Sequence, residues 1–235
     1  MEKIILKIRK QLKNNADLEY KKNSYNFFRE EIRLYGVRTP VVRNISKNYF
    51  SEIKDLNKKQ IFSLCEELLK SGYIEESVVA FDWAYRIKNR YKKQDFKMFE
   101  LWLKKYISNW GRCDDLCTHT LGYFLFKFPE FLPEIKLWAR SKNRWQRRAS
   151  AVSLIYSLKR KEHLDNAFFI ADILLEDYDD LVQKGYGWML KEASSVYLND
   201  VFNFVNKNKE KMPRTALRYA IEKMPQKMKK EAMKK

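Results

Sequence analysis

Arg147-Arg148-Ala149-Ser150-Ala151 has counterparts far from it in the chain, Ser77-Val78-Val79-Ala80 upstream and Arg214-Thr215-Ala216-Leu217 downstream. Each opens a run of helical apolar periodicity and sets small residues where a partner helix would approach. With similar starts near Arg112 and Val182, these openings recur about every 35, 35, 35 and 32 residues, a period that signals a helical solenoid. Elsewhere, Ile61, Leu64, Cys65, Leu68 and Leu69 fall on one helical face. Asn57 followed by Gln60 reads as a capping box. Thr39-Pro40 reads as a capping hydroxyl before a first-turn proline. Ser71-Gly72, Phe128-Pro129, Met212-Pro213 and Met224-Pro225 read as stops.

Small residues at close-approach positions suit HEAT-like units, and no Trp-Leu-Gly tetratricopeptide signature occurs. The expected fold is all-α, an α-α superhelix of about six HEAT-like helix pairs whose second helices line a concave basic groove. Residues 1–225 read as a single domain. Residues 226–235 read as a basic tail expected to fray.

The chain carries 48 Lys+Arg against 30 Asp+Glu, a net charge of +18, with 45% hydrophobic and 15% aromatic residues. That content builds a core, so the excess charge belongs to a folded surface that attracts polyanions. Nucleic acid is favoured over a membrane, because no amphipathic segment with a dominant basic face stands apart from the core pattern. With no run of eighteen apolar residues, no signal-peptide pattern and three cysteines, the expectation is a soluble protein of the cytoplasm, or of the nucleus in a eukaryote. No phosphate-binding loop, dinucleotide fingerprint or HExxH occurs. Cys113, Cys117 and His119 make only half a zinc site, and neither metal nor cofactor is expected.

Two segments carry the chemistry: Asn109-Trp110-Gly111-Arg112-Cys113-Asp114-Asp115 and Asn143-Arg144-Trp145-Gln146-Arg147-Arg148-Ala149. Trp110 and Asp114, four apart, share a helical face. Arg144, Arg147 and Arg148, together with Arg43 and Lys184, are candidate phosphate contacts. A carboxylate among such cations weakens DNA binding, so it needs another use. One is to offset the positive charge of an oxocarbenium-like sugar while a purine departs. The ordinary role of a helix-start aspartate is a cap or dipole partner, and Asp114 and Asp115 both fit it. Trp83, Trp102 and Trp138 read as core and Trp145 as packing; for Trp110 and Trp188 the pattern leaves core and contact open.

These segments, with Leu34-Tyr35-Gly36-Val37-Arg38-Thr39-Pro40, Leu121-Gly122 and Gln183-Lys184-Gly185-Tyr186-Gly187-Trp188-Met189-Leu190-Lys191-Glu192, resemble the AlkD-type family of HEAT-repeat DNA alkylation repair glycosylases. The resemblance spans nearly the whole chain. It implies hydrolytic excision of cationic alkylated purines, such as N3-methyladenine and N7-methylguanine, from double-stranded DNA, without metal or cofactor. It implies Asp114 as the catalytic carboxylate, Trp110 and Trp188 as indoles on the deoxyribose, and Arg148 as a phosphate contact. The family's N-terminal aromatic falls on Phe27, or on Tyr25 in a shifted register. The chain departs from the family pattern at Asn109, Gly111 and Phe27. A monomer with no obligate protein partner is expected. The alternative is a non-catalytic adaptor that binds DNA, structured RNA or an acidic protein.

Overall fold

The computed structural model describes residues 2–234. Their structure is helical, and among them the only extended pairing is an isolated parallel bridge between Arg33 and Tyr73. Packing gathers the chain into two compact units, Met1–Leu116 and Cys117–Lys235.

The first unit holds α1 (Glu2–Asn14), α2 (Leu18–Ser24), α3 (Thr39–Phe50), α4 (Lys58–Lys70), α5 (Ile74–Arg86), α6 (Phe96–Tyr106) and α7 (Trp110–Asp115). α1 buries Ile4, Ile5, Ile8 and Leu12, a stripe of helical period that packs on α3. α4 opens with a complete capping box. The Asn57 side chain accepts from the Gln60 N–H and the Gln60 side chain from the Asn57 N–H, both at 3.0 Å. Its apolar face closes on α5, and Gly72, at a φ of 76°, follows its last turn. At α3 the cap is Arg38, without a side-chain bond, and Thr39 is already helical. The first-turn N–H groups have no intrahelical partner, so Pro40 is tolerated one position further in than the sequence suggests.

α5 turns two acids inward. Glu75, 4% exposed, accepts the backbone N–H groups of Tyr35, Gly36 and Val37 at 3.1, 2.8 and 3.0 Å. Glu76 accepts from Arg9 at 3.1 Å and from the Tyr35 hydroxyl at 2.7 Å. The irregular segment before α3 is thus tied down by side chains where it has no ladder of its own.

The second unit holds α8 (Gly122–Lys127), α9 (Leu132–Trp138), α10 (Arg144–Val152), α11 (Ile155–Leu158), α12 (Leu164–Leu174), α13 (Asp180–Ser194), α14 (Leu198–Asn208), α15 (Arg214–Ala220) and α16 (Gln226–Met233). The expected second helices are α5, α7, α10, α13 and α15, each starting within about three residues of its sequence signal. Within the units they pack on one another, α5 on α7, α10 on α13, and α13 on α15. Small residues permit this: a Cβ on Gly187 would stand 2.8 Å from the Ala216 carbonyl oxygen. Leu116–Leu121 winds as a π-helix, a wider turn that apolar periodicity does not announce. The basic C-terminal segment, expected to fray, forms α16, which packs on α14 and buries Ala232. No helix among the described residues is long and apolar enough to cross a membrane.

Candidate functional site

In the first unit, Asn109 is extended and its Oδ1 accepts the Arg112 N–H at 3.0 Å. This cap fixes the start of α7 at Trp110, so Trp110 and Asp114 lie one turn apart on one helix face. Both are half-buried. The indole is fixed from two sides: its Nε1–H donates to the Phe27 carbonyl at 3.2 Å, and the Phe28 ring stacks on it with centroids 5.1 Å apart and planes 13° from parallel. The aromatic side chain against Trp110 is therefore Phe28. Phe27 contributes its backbone and leaves its own ring 71% exposed, because the short 3-10 turn Tyr25–Phe27 carries the chain into extended backbone at Phe28.

Asp115 differs from Asp114. It is ion-paired with Arg43, whose guanidinium also lies 3.8 Å from Asp82 and donates to the Val78 carbonyl at 3.4 Å. Arg43, expected as a phosphate contact, is ion-paired inside its unit and keeps a third of its side chain exposed. Arg112 is 6% exposed and donates to the Tyr106 carbonyl at 3.1 Å, to Ser108 Oγ at 3.4 Å and to the Gly72 carbonyl. Burial pushes its guanidinium below the usual arginine range, with Glu75 opposing.

In the second unit, Asn143 caps α10 by accepting the Trp145 N–H at 2.8 Å. Trp83, Trp102, Trp138 and Trp145 are all buried, in keeping with core and packing roles. Each arginine of the cluster that follows has protein partners. Arg144 pairs with Asp179 at 2.6 Å and keeps 39% of its side chain exposed. Arg147 pairs with Asp177 at 2.6 Å and donates to the Ser141 and Lys142 carbonyls at 3.0 and 3.2 Å. Burial disfavours the Arg147 cation, yet Asp177 outweighs burial and raises its pKa. Likewise burial opposes ionisation of Asp179, but Arg144 and backbone N–H groups hold it below the usual carboxylate range. Arg148, 5% exposed, donates to the Leu181 carbonyl. It lies against Gly185, where a Cβ would come within 3.0 Å of Arg148 Cγ. Lys184 pairs with Asp180 at 3.1 Å. The segment holding Asp177, Asp179 and Asp180 thus neutralises most of the ridge expected to grip phosphates.

Trp188, half-buried on α13, donates its Nε1–H to Glu192 Oε1 at 3.2 Å. Glu192, 7% exposed, also takes Lys223 at 2.9 Å and Lys159 at 3.1 Å. Burial raises its pKa, but the two lysines outweigh that and keep it ionised below the ordinary carboxylate range. Sequence reading passed over Glu192. The available signal was its spacing from Trp188, the same four residues that separate Trp110 from Asp114. Cys113 and Cys117 are fully buried, and no group of three His, Cys, Asp or Glu among the described residues gathers as a metal site.

Residues 8–224 match the model of a family described as DNA alkylation repair enzyme. A solved structure, described as a predicted DNA alkylation repair enzyme from Enterococcus faecalis, is similar with a TM-score of 0.79 and 18% identity, over 90% of this chain and 98% of that one. At that identity the likeness concerns the fold. Comparison with curated proteins finds no match.

Proposed function

The chain belongs to the DNA alkylation repair enzyme family, and we propose that within this role it is a monofunctional glycosylase releasing cationic alkylated purines of the N3-methyladenine and N7-methylguanine kind from duplex DNA. The observation that carries the reading is the Trp110–Asp114 pair, a carboxylate one helical turn from an indole that Phe27 and Phe28 hold in place. Water adds to C1′ of the deoxyribose as the N-glycosidic electron pair leaves with the base. The base departs neutral because alkylation had already made it cationic, so no general acid is required. The water proton passes to the carboxylate or to solvent. Asp114 offsets the charge that develops on the sugar between these events. Trp110 packs against the deoxyribose. Among the cluster arginines, Arg144 is the phosphate contact with most remaining access. The enzyme acts as a monomer and without a cofactor.

Single-turnover excision of N7-methylguanine from methylated duplex tests the reading. Asp114→Asn keeps the shape and removes the charge, so the rate falls at least ~10²-fold, about 2.7 kcal/mol of transition-state stabilisation. Duplex affinity holds or rises. Excision at the parental rate, or a variant that loses its fold in place of its rate, returns Asp114 to a helix-start role and favours the non-catalytic adaptor.

A further inference from the structure

A cleft of about 250 Å³ in the first unit is lined by Glu31, Arg33, Gly72, Ser108, Asn109 and Arg112. Its two arginines contrast with those of the α10 cluster. Arg144 and Arg147 have aspartates, whereas among the described residues no carboxylate pairs with Arg33 or Arg112. The three groups that Arg112 touches are neutral, and its Nε is buried with no acceptor. The acid that bears on it electrostatically, Glu75, already serves three backbone N–H groups. A buried cation without a counter-charge is costly, and an incoming anion relieves that cost. The two side chains meet around Gly72. Arg112 donates to its carbonyl, and Arg33 Cδ lies 3.8 Å from where a Gly72 Cβ would stand. Ser108 and Asn109 add neutral polar groups, and Glu31 at the exposed edge forms no ion pair with either arginine.

We propose that this cleft binds a phosphate group between Arg33 and Arg112. Guanidinium forks match tetrahedral oxyanions through paired N–H donors. The cleft adjoins Asn109 and hence the start of α7, so a phosphodiester held there would be a neighbour of the nucleotide at Trp110. That last assignment rests on the glycosylase reading; binding of the phosphate group does not.

The test follows the Gly72 and Asn109 amide resonances of the ¹⁵N-labelled full chain during titration with inorganic phosphate, against sodium chloride at equal ionic strength. Duplex binding is measured in parallel by fluorescence anisotropy across a salt series. Saturable shifts with phosphate are expected, weakened about tenfold or more in Arg33→Gln, a variant at an exposed position. Arg112→Lys, which keeps the charge and removes the fork, weakens phosphate as well. If the physiological source is the DNA backbone, Arg33→Gln lowers the salt slope of duplex binding by about 0.9. If it is a free phosphate or a monoester, the slope stays and only the phosphate titration responds. Absence of saturable shifts beyond sodium chloride, with an unchanged slope, overturns the site. A chain that shows the shifts yet releases no base from methylated DNA refutes the glycosylase reading and leaves the phosphate site standing.

Discussion

Gly187→Ala sets one methyl group into the contact between α13 and α15. The new Cβ would lie 2.7 Å from Tyr219 Cβ, 2.8 Å from the Ala216 carbonyl oxygen and 3.2 Å from Ala216 Cα. Favourable carbon contacts sit near about 3.5–4.0 Å. Two of the three neighbours are backbone atoms that no rotamer change withdraws, so the helices themselves must separate. Overpacking of this kind costs about 1–3 kcal/mol, and rigid neighbours place it at the upper end. Replacing a helical glycine returns about 1 kcal/mol of propensity. The net loss is then about 2 kcal/mol, or a Tm lower by about 4–8 °C for a chain of this size. Gly111→Ala is the counterpart in α7, where the added Cβ meets Asn109 Oδ1 at 3.4 Å and the Phe28 ring at 3.7 Å. Nothing need move there, so the propensity gain raises Tm by about 2–4 °C. Thermal unfolding followed by circular dichroism reads both variants. A neutral or stabilised Gly187→Ala, or a destabilised Gly111→Ala, refutes the argument that helix contact at Gly187 and its absence at Gly111 decide the sign.

Asp115→Asn unties Arg43, a third of whose side chain is exposed, so non-specific duplex affinity rises and its salt slope steepens by about 0.9; an unchanged slope means that Asp82 alone retains the arginine. Arg147→Met strands the buried Asp177 carboxylate and lowers stability by about 3–5 kcal/mol, seen as a lower denaturant midpoint; a variant of parental stability with weakened duplex binding would instead make Arg147 a phosphate contact. Glu192 has a folded pKa held below its ordinary 4.5, so its stabilisation is present above that value and is lost as pH falls through the folded pKa. Glu192→Gln should therefore be less stable than the parent near neutrality and flatten the decline between about pH 5 and pH 3; parallel pH profiles for the two chains would contradict the assignment.

The all-α class and the places where repeats begin were legible because both depend on local pattern: apolar spacing, the Asn57–Gln60 box and small residues at Ala149 and Ala216. What escaped was set by partners distant in sequence. Arg144 and Arg147 look like a free basic ridge until Asp179 and Asp177 arrive from the start of α13, and nothing near Arg43 announces Asp115. The stacking of Phe28 on Trp110 was not legible either, because a single 3-10 turn decides which ring faces inward. α16 is held by its contact with α14, which a composition rich in lysine conceals.

The Glu75 carboxylate gives the irregular segment before α3 a different kind of memory from that of a strand or helix. Its three accepted N–H groups belong to consecutive residues, Tyr35, Gly36 and Val37, and a single side chain on α5 guards them all. Hydrogen exchange at these amides should then report one shared opening event, the withdrawal of Glu75, with nearly equal protection factors where an ordinary loop shows scattered and low ones. The loop and the first turn of α5 would open together, which makes three backbone amides outside any helix an isotopic gauge of how firmly α5 is seated.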